Sequence, residues 1–272
     1  MSNNRKTVAV VVPMSNRPQL TPEEEISFRH LNHYLGRYDK YLVVPKSLRL
    51  NFPGFALKPF DEKYFGSVQA HRRLLFSPRF YKAFSDYDYI LIYHPDALVF
   101  SDQLEFWCRL GFDYIGAPWV KHKDAPYNGQ TAYEGKVGNG GFALLRIKSF
   151  LAIFYSPVYY MTPLAYSRQL FAAQPWHLRI WNLPKFLLKH FHYFNGSRWE
   201  LRQFKSNDDN FWANRGPYYY PEFKIAPVTI ALQFAFECVP RYCFELNNKT
   251  LPFGCHAWAR YDREFWEPYL LR

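Results

Sequence analysis

Tyr87-Asp88-Tyr89-Ile90-Leu91-Ile92-Tyr93-His94-Pro95-Asp96-Ala97-Leu98-Val99-Phe100 is the stretch whose reading decides the fold. Tyr89 to Tyr93 is a short aliphatic and aromatic run. It predicts a buried strand, being too short for a helix of its own. Pro95 ends regular pairing, because it has no N–H to give to a ladder. Asp96 follows between apolar neighbours. A lone carboxylate there is costly to bury unless it meets a cation or a donor. At the carboxyl end of a central strand in an open α/β sheet, that partner is often a ligand. A single Asp in this place also reads as a cap for the next turn, and later stretches decide between the two.

Working outward, Thr7-Val-Ala-Val-Val-Val12 is a continuous apolar run, as expected of an inner parallel strand, and Pro13 ends it. Thr21-Pro-Glu-Glu24 then opens a helix, with Thr21 as N-cap, Pro22 at the first helical position and Glu24 completing a capping box. Tyr38 to Val44 predicts a second strand, closed by Pro45. Strand, helix, strand is a βαβ unit and implies parallel pairing. The loop after the first strand of such a unit faces the ligand crevice. Arg17, in that loop, is a candidate for meeting a phosphate and equally a solvated arginine. Leu57–Phe60 predicts a third strand, and Ser67–Phe76 and Pro78–Phe84 predict helices. Arg72 and Arg73 lie between, open to an anionic ligand or to solvent.

The chain has 272 residues, 49% hydrophobic and 21% aromatic, which excludes a disordered chain and supports a sizeable core. A net charge of +11 points to an anionic partner. The charge is not gathered in a tail, and no zinc-finger or RRM signature is present, so nucleic acid is not the expected partner. Four cysteines without CxxC spacing predict reduced, buried thiols and no zinc site. No apolar run reaches spanning length, and the first residues lack the apolar core of a signal peptide. The expectation is a cytoplasmic protein.

Beyond the central strand, Asp102–Arg109 predicts a helix, Tyr114–Ala117 a strand and Lys121–Glu134 a polar loop. Val137-Gly-Asn-Gly-Gly-Phe142 then brings three glycines around Asn139, which let the backbone approach a ligand or make a hairpin turn. Residues 151–205 hold one acidic residue, Glu200, against seven Lys/Arg, interleaved with aromatics. Leu183–Phe194 reads there as a basic, apolar helix that lies on an anionic membrane surface, packs on the core or dimerises. Asp208 and Asp209 open the next helix, where adjacent carboxylates suit the positive end of the dipole. They read also as a general base kept ionised by its surroundings. Val228–Phe236 and Asp262–Leu270 predict further helices. Between them, His256 stands in a loop, as a structural residue or a metal ligand.

A strand-end Asp96, a glycine turn at Gly138–Gly141, an acidic helix start at Asp208-Asp209 and a late His256 come in that order. The matching segments are Tyr89-Ile-Leu-Ile-Tyr-x-x-Asp-Ala97, Val137-Gly-Asn-Gly-Gly-Phe142, Asn207-x-Asp-x-Phe-Trp212 and Pro252-Phe-Gly-Cys-His-Ala-Trp258. This series resembles the GT-A-fold glycosyltransferases, which take a sugar from a nucleotide diphosphate donor. Each motif is weak alone, and four in order are fairly specific. The resemblance runs from Val8 to about Trp258, with 151–205 as its variable part. It implies one catalytic domain over 1–272, an α/β Rossmann-like mixed sheet flanked by helices, with a helical, aromatic and basic insertion.

The resemblance also implies roles. Asp96 falls on the last carboxylate of the family's Asp-x-Asp motif, which holds a divalent metal, and His256 on the histidine that completes the site. His94 stands where the motif's first Asp is normal. Pro13, Arg17, Arg73, His94, Ala97, Asn139, Gly140 and Gly141 are the expected donor-binding residues. Asp209 falls on the catalytic carboxylate of inverting members, with Asp208 before it. The implied cofactor is Mn²⁺ or Mg²⁺, imidazole ligation tilting the choice toward Mn²⁺. The implied partners are a nucleotide-sugar donor and a glycan or lipid-linked acceptor, with peripheral membrane contact through 151–205. A retaining transferase and a catalytically inactive carbohydrate- or partner-binding domain stay open as alternatives.

Overall fold

The computed structural model describes residues 6–49, 51–172 and 175–271. Strand β1 (Lys6–Pro13) leads to helix α1 (Pro22–Leu35). The capping box forms as expected: Thr21 Oγ1 accepts from the Glu24 N–H at 3.2 Å, and Glu24 Oε2 accepts from the Thr21 N–H at 2.8 Å. Strands β2 (Asp39–Pro45) and β3 (Ala56–Phe60) follow. Next come helix α2 (Val68–Leu75), capped by the Ser67 side chain, helix α3 (Pro78–Lys82) and strand β4 (Tyr87–Tyr93).

After β4 the elements shorten: β5 (Leu98–Val99), α4 (Leu104–Arg109), β6 (Tyr114–Ile115), β7 (Pro118–Trp119), β8 (Lys136–Val137) and β9 (Phe142–Arg146). The single strand expected over 114–117 breaks at Gly116, where the chain runs against the Asn139 backbone and leaves no room for a β-carbon. β7 then pairs antiparallel with β8, closing the polar 121–134 loop at its base.

The principal sheet has the order β3-β2-β1-β4-β9-β6. Pairs β1–β2, β2–β3 and β1–β4 are parallel, and β9 runs antiparallel to both β4 and β6. The expected mixed α/β sheet is therefore the one observed. Side chains alternate across a strand, so each inner strand feeds two cores. Val10, Val12, Leu91 and Tyr93 pack with Phe28 and Leu31 of α1 on one face. Ala9, Val11, Ile90 and Ile92 pack on the other, against Phe80 and Tyr81 of α3.

That second face is completed by α5 (Ile147–Phe154) and α9 (Asp208–Tyr219), through Phe150, Phe211 and Trp212. Between them lie α6 (Pro163–Ala172), α7 (Trp176–His190) and α8 (Ser197–Gln203). The helix expected over 183–194 starts earlier and ends at His190, and Pro184 inside it does not stop it. α7 buries none of its residues: Trp176 is 72% and Trp181 78% exposed. It leans on α6, where the Tyr166 and Phe186 rings stack at 6.5 Å.

The last elements are α10 (Val228–Phe234), β10 (Ala235–Phe236), α11 (Pro240–Leu246), β11 (Gly254–Cys255) and α12 (Arg263–Trp266). The expected helix over 228–236 thus ends two residues early, because Ala235 and Phe236 turn into a second sheet of order β10-β11-β5. All four cysteines are buried and free.

Candidate active site

The second sheet assembles one corner of the site. β11 runs parallel to β10 and antiparallel to β5. Glu237 and His256 directly follow β10 and β11, so neighbouring parallel strands deliver them side by side. Asp96 sits two residues before β5 and meets them. The backbone locks this corner: the His256 N–H donates to Phe236 O at 3.0 Å, and the His94 N–H to Gly141 O at 2.8 Å.

His256 stands between two carboxylates, Nε2 at 3.3 Å from Asp96 Oδ1 and Nδ1 at 3.1 Å from Glu237 Oε1. Burial opposes charge on the imidazole, but the two carboxylates outweigh it and raise its pKa to about 10. Burial likewise opposes the Asp96 charge, and the bond from His256 overcomes it, holding that carboxyl well below its usual range. Next to them His94 behaves in the opposite way. Burial, then the neighbouring His71 and His256, keep it neutral. The three rings form a row, His71–His94 at 5.0 Å and His94–His256 at 5.2 Å. The Nε2 atoms of His71 and His94 are both buried without a hydrogen-bond partner.

Among the described residues, His94, Asp96 and His256 offer one ligand atom each, all within 4.8 Å of one another. An imidazole nitrogen shielded from water and left unpaired is the expected state of a ligand atom awaiting a cation. The donor set therefore fits a divalent ion.

Opposite this corner, Asp208 and Asp209 open α9. Gly140 and Gly141 run between the two groups. A β-carbon on Gly141 would overlap the His256 ring, while one on Gly140 would lie 3.4 Å from Asp208 Oδ2 and 3.7 Å from Asp209 Cβ. Gly141 is thus required by close approach, while Gly140 has ordinary contact distances around it, and both leave backbone facing the cleft. Asp209 Oδ1 accepts from the Asn210 N–H at 2.6 Å. The expectation that the helix end keeps this pair ionised needs correction. Desolvation dominates, pushing Asp208 up to about 6 and, with the Asp208 and Glu237 charges added, raising Asp209 well above the usual carboxylate range. Each carboxylate hinders ionisation of the other.

These groups line one cleft of about 470 Å³. Its far wall is aromatic: Trp119, Tyr127 and Tyr133 come from β7 and the loop after it, and Tyr261 from beyond β11. The loop is tied to α9, since Tyr133 Oη and Ser206 Oγ lie 2.8 Å apart and Asn210 Nδ2 donates to Ala132 O at 3.2 Å. Arg72 also reaches the cleft, its Nη1 donating to Lys205 O at 2.7 Å and Ser206 O at 2.9 Å, just before α9.

Of the residues singled out in the sequence, the cleft collects His94, Asn139, Gly140, Gly141, Asp208, Asp209 and His256. Asp96 joins them through His256. It does not collect the other four. Pro13 and Ala97 are buried in the core, each at the end of a run that turns inward. Arg17 is turned to Glu24 Oε1 at 2.8 Å, completing the first turn of α1 rather than meeting a ligand. Arg73 faces a different cavity, because its helix presents Arg72 to the cleft and Arg73 one position round. His71, Glu237 and the loop aromatics went unseen in the sequence. Glu237 carried the same signal as Asp96, a carboxylate directly after an apolar run.

A family described as "Protein of unknown function (DUF5672)" matches residues 54–256. The chain belongs to this family. The match spans every side chain of the cleft up to His256, and stops before Arg260 and Tyr261 of this DUF5672 chain. A search of curated proteins gave no match. Solved structures similar to the DUF5672 chain include a galactosyltransferase, LgtC, in complex with donor and acceptor sugar analogues. It is 12% identical, with a TM-score of 0.49, 96% of this chain and 93% of that one being covered. Another is the apo form of the glycosyltransferase GlyE of Streptococcus pneumoniae TIGR4, 14% identical with a TM-score of 0.44. That match covers 97% of this chain, which spans 60% of the length of GlyE.

The glycine pair gives a direct check of the geometry. Gly141→Ala forces the β-carbon into His256 and is expected to cost about 2–3 kcal/mol in urea denaturation. Gly140→Ala, with ordinary contacts around it, is expected to cost about 1 kcal/mol or less. Equal costs would contradict the packing of His256 on Gly141.

Proposed function

We propose that this DUF5672 protein is a glycosyltransferase that moves a sugar from a nucleotide diphosphate donor to an acceptor hydroxyl with inversion. One observation carries the reading: a corner fit for a cation and a carboxylate pair face each other across the bare Gly140-Gly141 backbone. A diphosphate belongs at the first, a sugar over the glycines, and an acceptor hydroxyl at the second. The aromatic wall suits the apolar faces of pyranose rings.

His94, Asp96 and His256 would hold the divalent ion, His256 giving up its Nε2 proton because only a neutral imidazole ligates, and two imidazoles with one carboxylate favour Mn²⁺ over Mg²⁺. When bound, such an ion supplies Lewis-acid stabilisation of charge on a diphosphate leaving group. Glu237 fixes the His256 ring through Nδ1 and aims Nε2 at the site. Arg72 secures the backbone before α9 and so the position of both carboxylates. Asp209 takes the proton from the acceptor hydroxyl. Its raised proton affinity makes it a stronger base than an ordinary carboxylate, and the two aspartates titrate as a pair.

The first experiment is thermal denaturation with nucleoside diphosphates, each with Mn²⁺, Mg²⁺ or EDTA. A ligand that binds the folded state raises the midpoint by mass action. A metal-dependent shift is expected, and it should disappear in Asp96→Ala and in His94→Ala. No shift with any nucleotide in folded protein would overturn the reading.

Asp209→Asn is expected to lower transfer about 10²–10⁴-fold. A carboxyl whose folded pKa is raised favours the folded state below its unfolded pKa, and this contribution is lost as pH rises through the folded value. The Asn variant should therefore be at least as thermostable as wild type at alkaline pH. Wild-type activity should climb as pH rises above the ordinary carboxylate range, as the pair loses its proton. Product with the donor's own anomeric configuration would remove Asp209 from the base role.

The α6–α7 hairpin supports a second part of the proposal, contact with an anionic membrane surface. The 151–205 segment is basic, and α7 presents tryptophan, isoleucine and leucine to solvent with none of them buried. Co-sedimentation with anionic vesicles is expected, and Trp176→Ser with Trp181→Ser should lose most of it. Binding unchanged by that pair, or a stable dimer formed through α7 instead, would overturn this part.

A further inference from the structure

Adjoining the cleft at Arg72 lies a second cavity, of about 560 Å³, lined by five cations: Lys63, Arg72, Arg73, Arg198 and Arg202. Among the described residues no carboxylate lines it. Three separate pieces of the fold supply the charge: the turn after β3, helix α2, and α8, where Arg198 and Arg202 stand four apart on one face. Lys63 lies 3.9 Å from Asp61, a long and solvated pair. Arg73, Arg198 and Arg202 have no ion-pair partner among the described residues. Like charges gathered without a counter-charge repel, and the fold gains nothing from holding them together. Guanidinium groups converging from two helices match a phosphate, whose oxygens accept paired N–H donors.

The cavity adjoins the cleft, because Arg72 lines both. On that geometry, and resting on the transferase reading, we propose that this cavity binds a phosphate group of the acceptor. The acceptor is then an anionic molecule, a sugar phosphate or a phospholipid-linked saccharide. Its phosphate is held by Arg73, Arg198 and Arg202, and its hydroxyl is presented past Arg72 to Asp209. The donor's diphosphate occupies the histidine corner instead, so the two phosphate positions are independent.

The test uses inorganic pyrophosphate in EDTA at low ionic strength, followed by thermal shift and calorimetry. EDTA silences the cation corner, so binding reports the arginine cavity alone. Wild type is expected to bind, and binding should weaken on adding salt. Arg198→Ala with Arg202→Ala should weaken it by about tenfold or more. Both side chains are exposed and unpaired, so the ligand-free midpoint should not fall. Arg73→Ala, on the other helix, is the second variant and should show the same loss. Asp96→Ala and His256→Ala should leave it intact.

Absence of pyrophosphate binding, or binding that survives all three arginine substitutions, would overturn the proposal. Pyrophosphate binding without any nucleotide binding would sink the transferase reading and leave an anion site. Vesicles carrying anionic lipid then separate the two sources. Vesicle binding that Arg198→Ala with Arg202→Ala loses names a lipid phosphate, and vesicle binding that it keeps names a soluble one.

Discussion

The position of His256 is the constraint on which the site depends. Its ring is held at both nitrogens by carboxylates, and Gly141 has no side chain so that the ring can lie against it. Each of those three contacts comes from a different part of the chain. Asp96 follows β4 of the principal sheet, Glu237 follows β10, and Gly141 precedes β9 on the neighbouring edge. The small second sheet brings the late part of the chain, through β11, against the end of β4. Trp258 and Trp266 anchor that segment in a core of their own. The two-residue strands β10 and β11 thus bring Glu237 and His256 to groups held by the longer β4 and β9.

The cleft also concentrates buried ionisable groups without a matching partner. Elsewhere buried carboxylates are matched: Asp113 accepts from Ser149 Oγ at 2.6 Å and from the Lys224 N–H at 2.8 Å, and Glu200 takes Arg215 at 2.7 Å, although the indole N–H groups of Trp107, Trp258 and Trp266 are buried without a partner among the described residues. In the cleft two imidazoles keep unpaired nitrogens, and two aspartates stand side by side where each resists the other's charge. Such groups destabilise the empty protein. Local departures of this kind cluster where a chain is shaped for a ligand rather than for stability. The opposed behaviour of neighbouring groups, His256 held charged and His94 held neutral, follows from which of them meets a carboxylate.

Much of this was legible in the sequence, for identifiable reasons. Continuous apolar runs marked β1, β2 and β4, because strands covered on both faces have no polar side to hide them. The Thr21–Glu24 box is a local device and was read from local residues. Asp96 stood out as a carboxylate on an apolar background. Glu237 carried the same mark and was missed, because β10 is two residues long and continues a helical run without a break. The resemblance puts Arg73 among the donor-binding residues, whereas the structure turns Arg72 to the cleft. Neighbouring helix positions point about a quarter-turn apart, and nothing local says which one faces the sheet's end. Arg17 pairs with Glu24, seven residues on, a local partner as available to it as any ligand.

The +11 net charge shows why composition alone could not assign a partner. Along the sequence the cations look diffuse, with Lys63, Arg73 and Arg202 scattered over 140 residues. Folding sorts them. Arg17, Lys6 and Arg241 are consumed in surface pairs with Glu24, Asp39 and Asp262, and those pairs contribute little to stability. The arginines of α2 and α8 are left together around one cavity, beside a cleft whose own floor is acidic. On the proposed transferase reading, positive charge gathered beside the cleft suits an acceptor that is itself an anion. Its attraction to the arginines would then bring the nucleophilic hydroxyl to a carboxylate pair that would otherwise repel it.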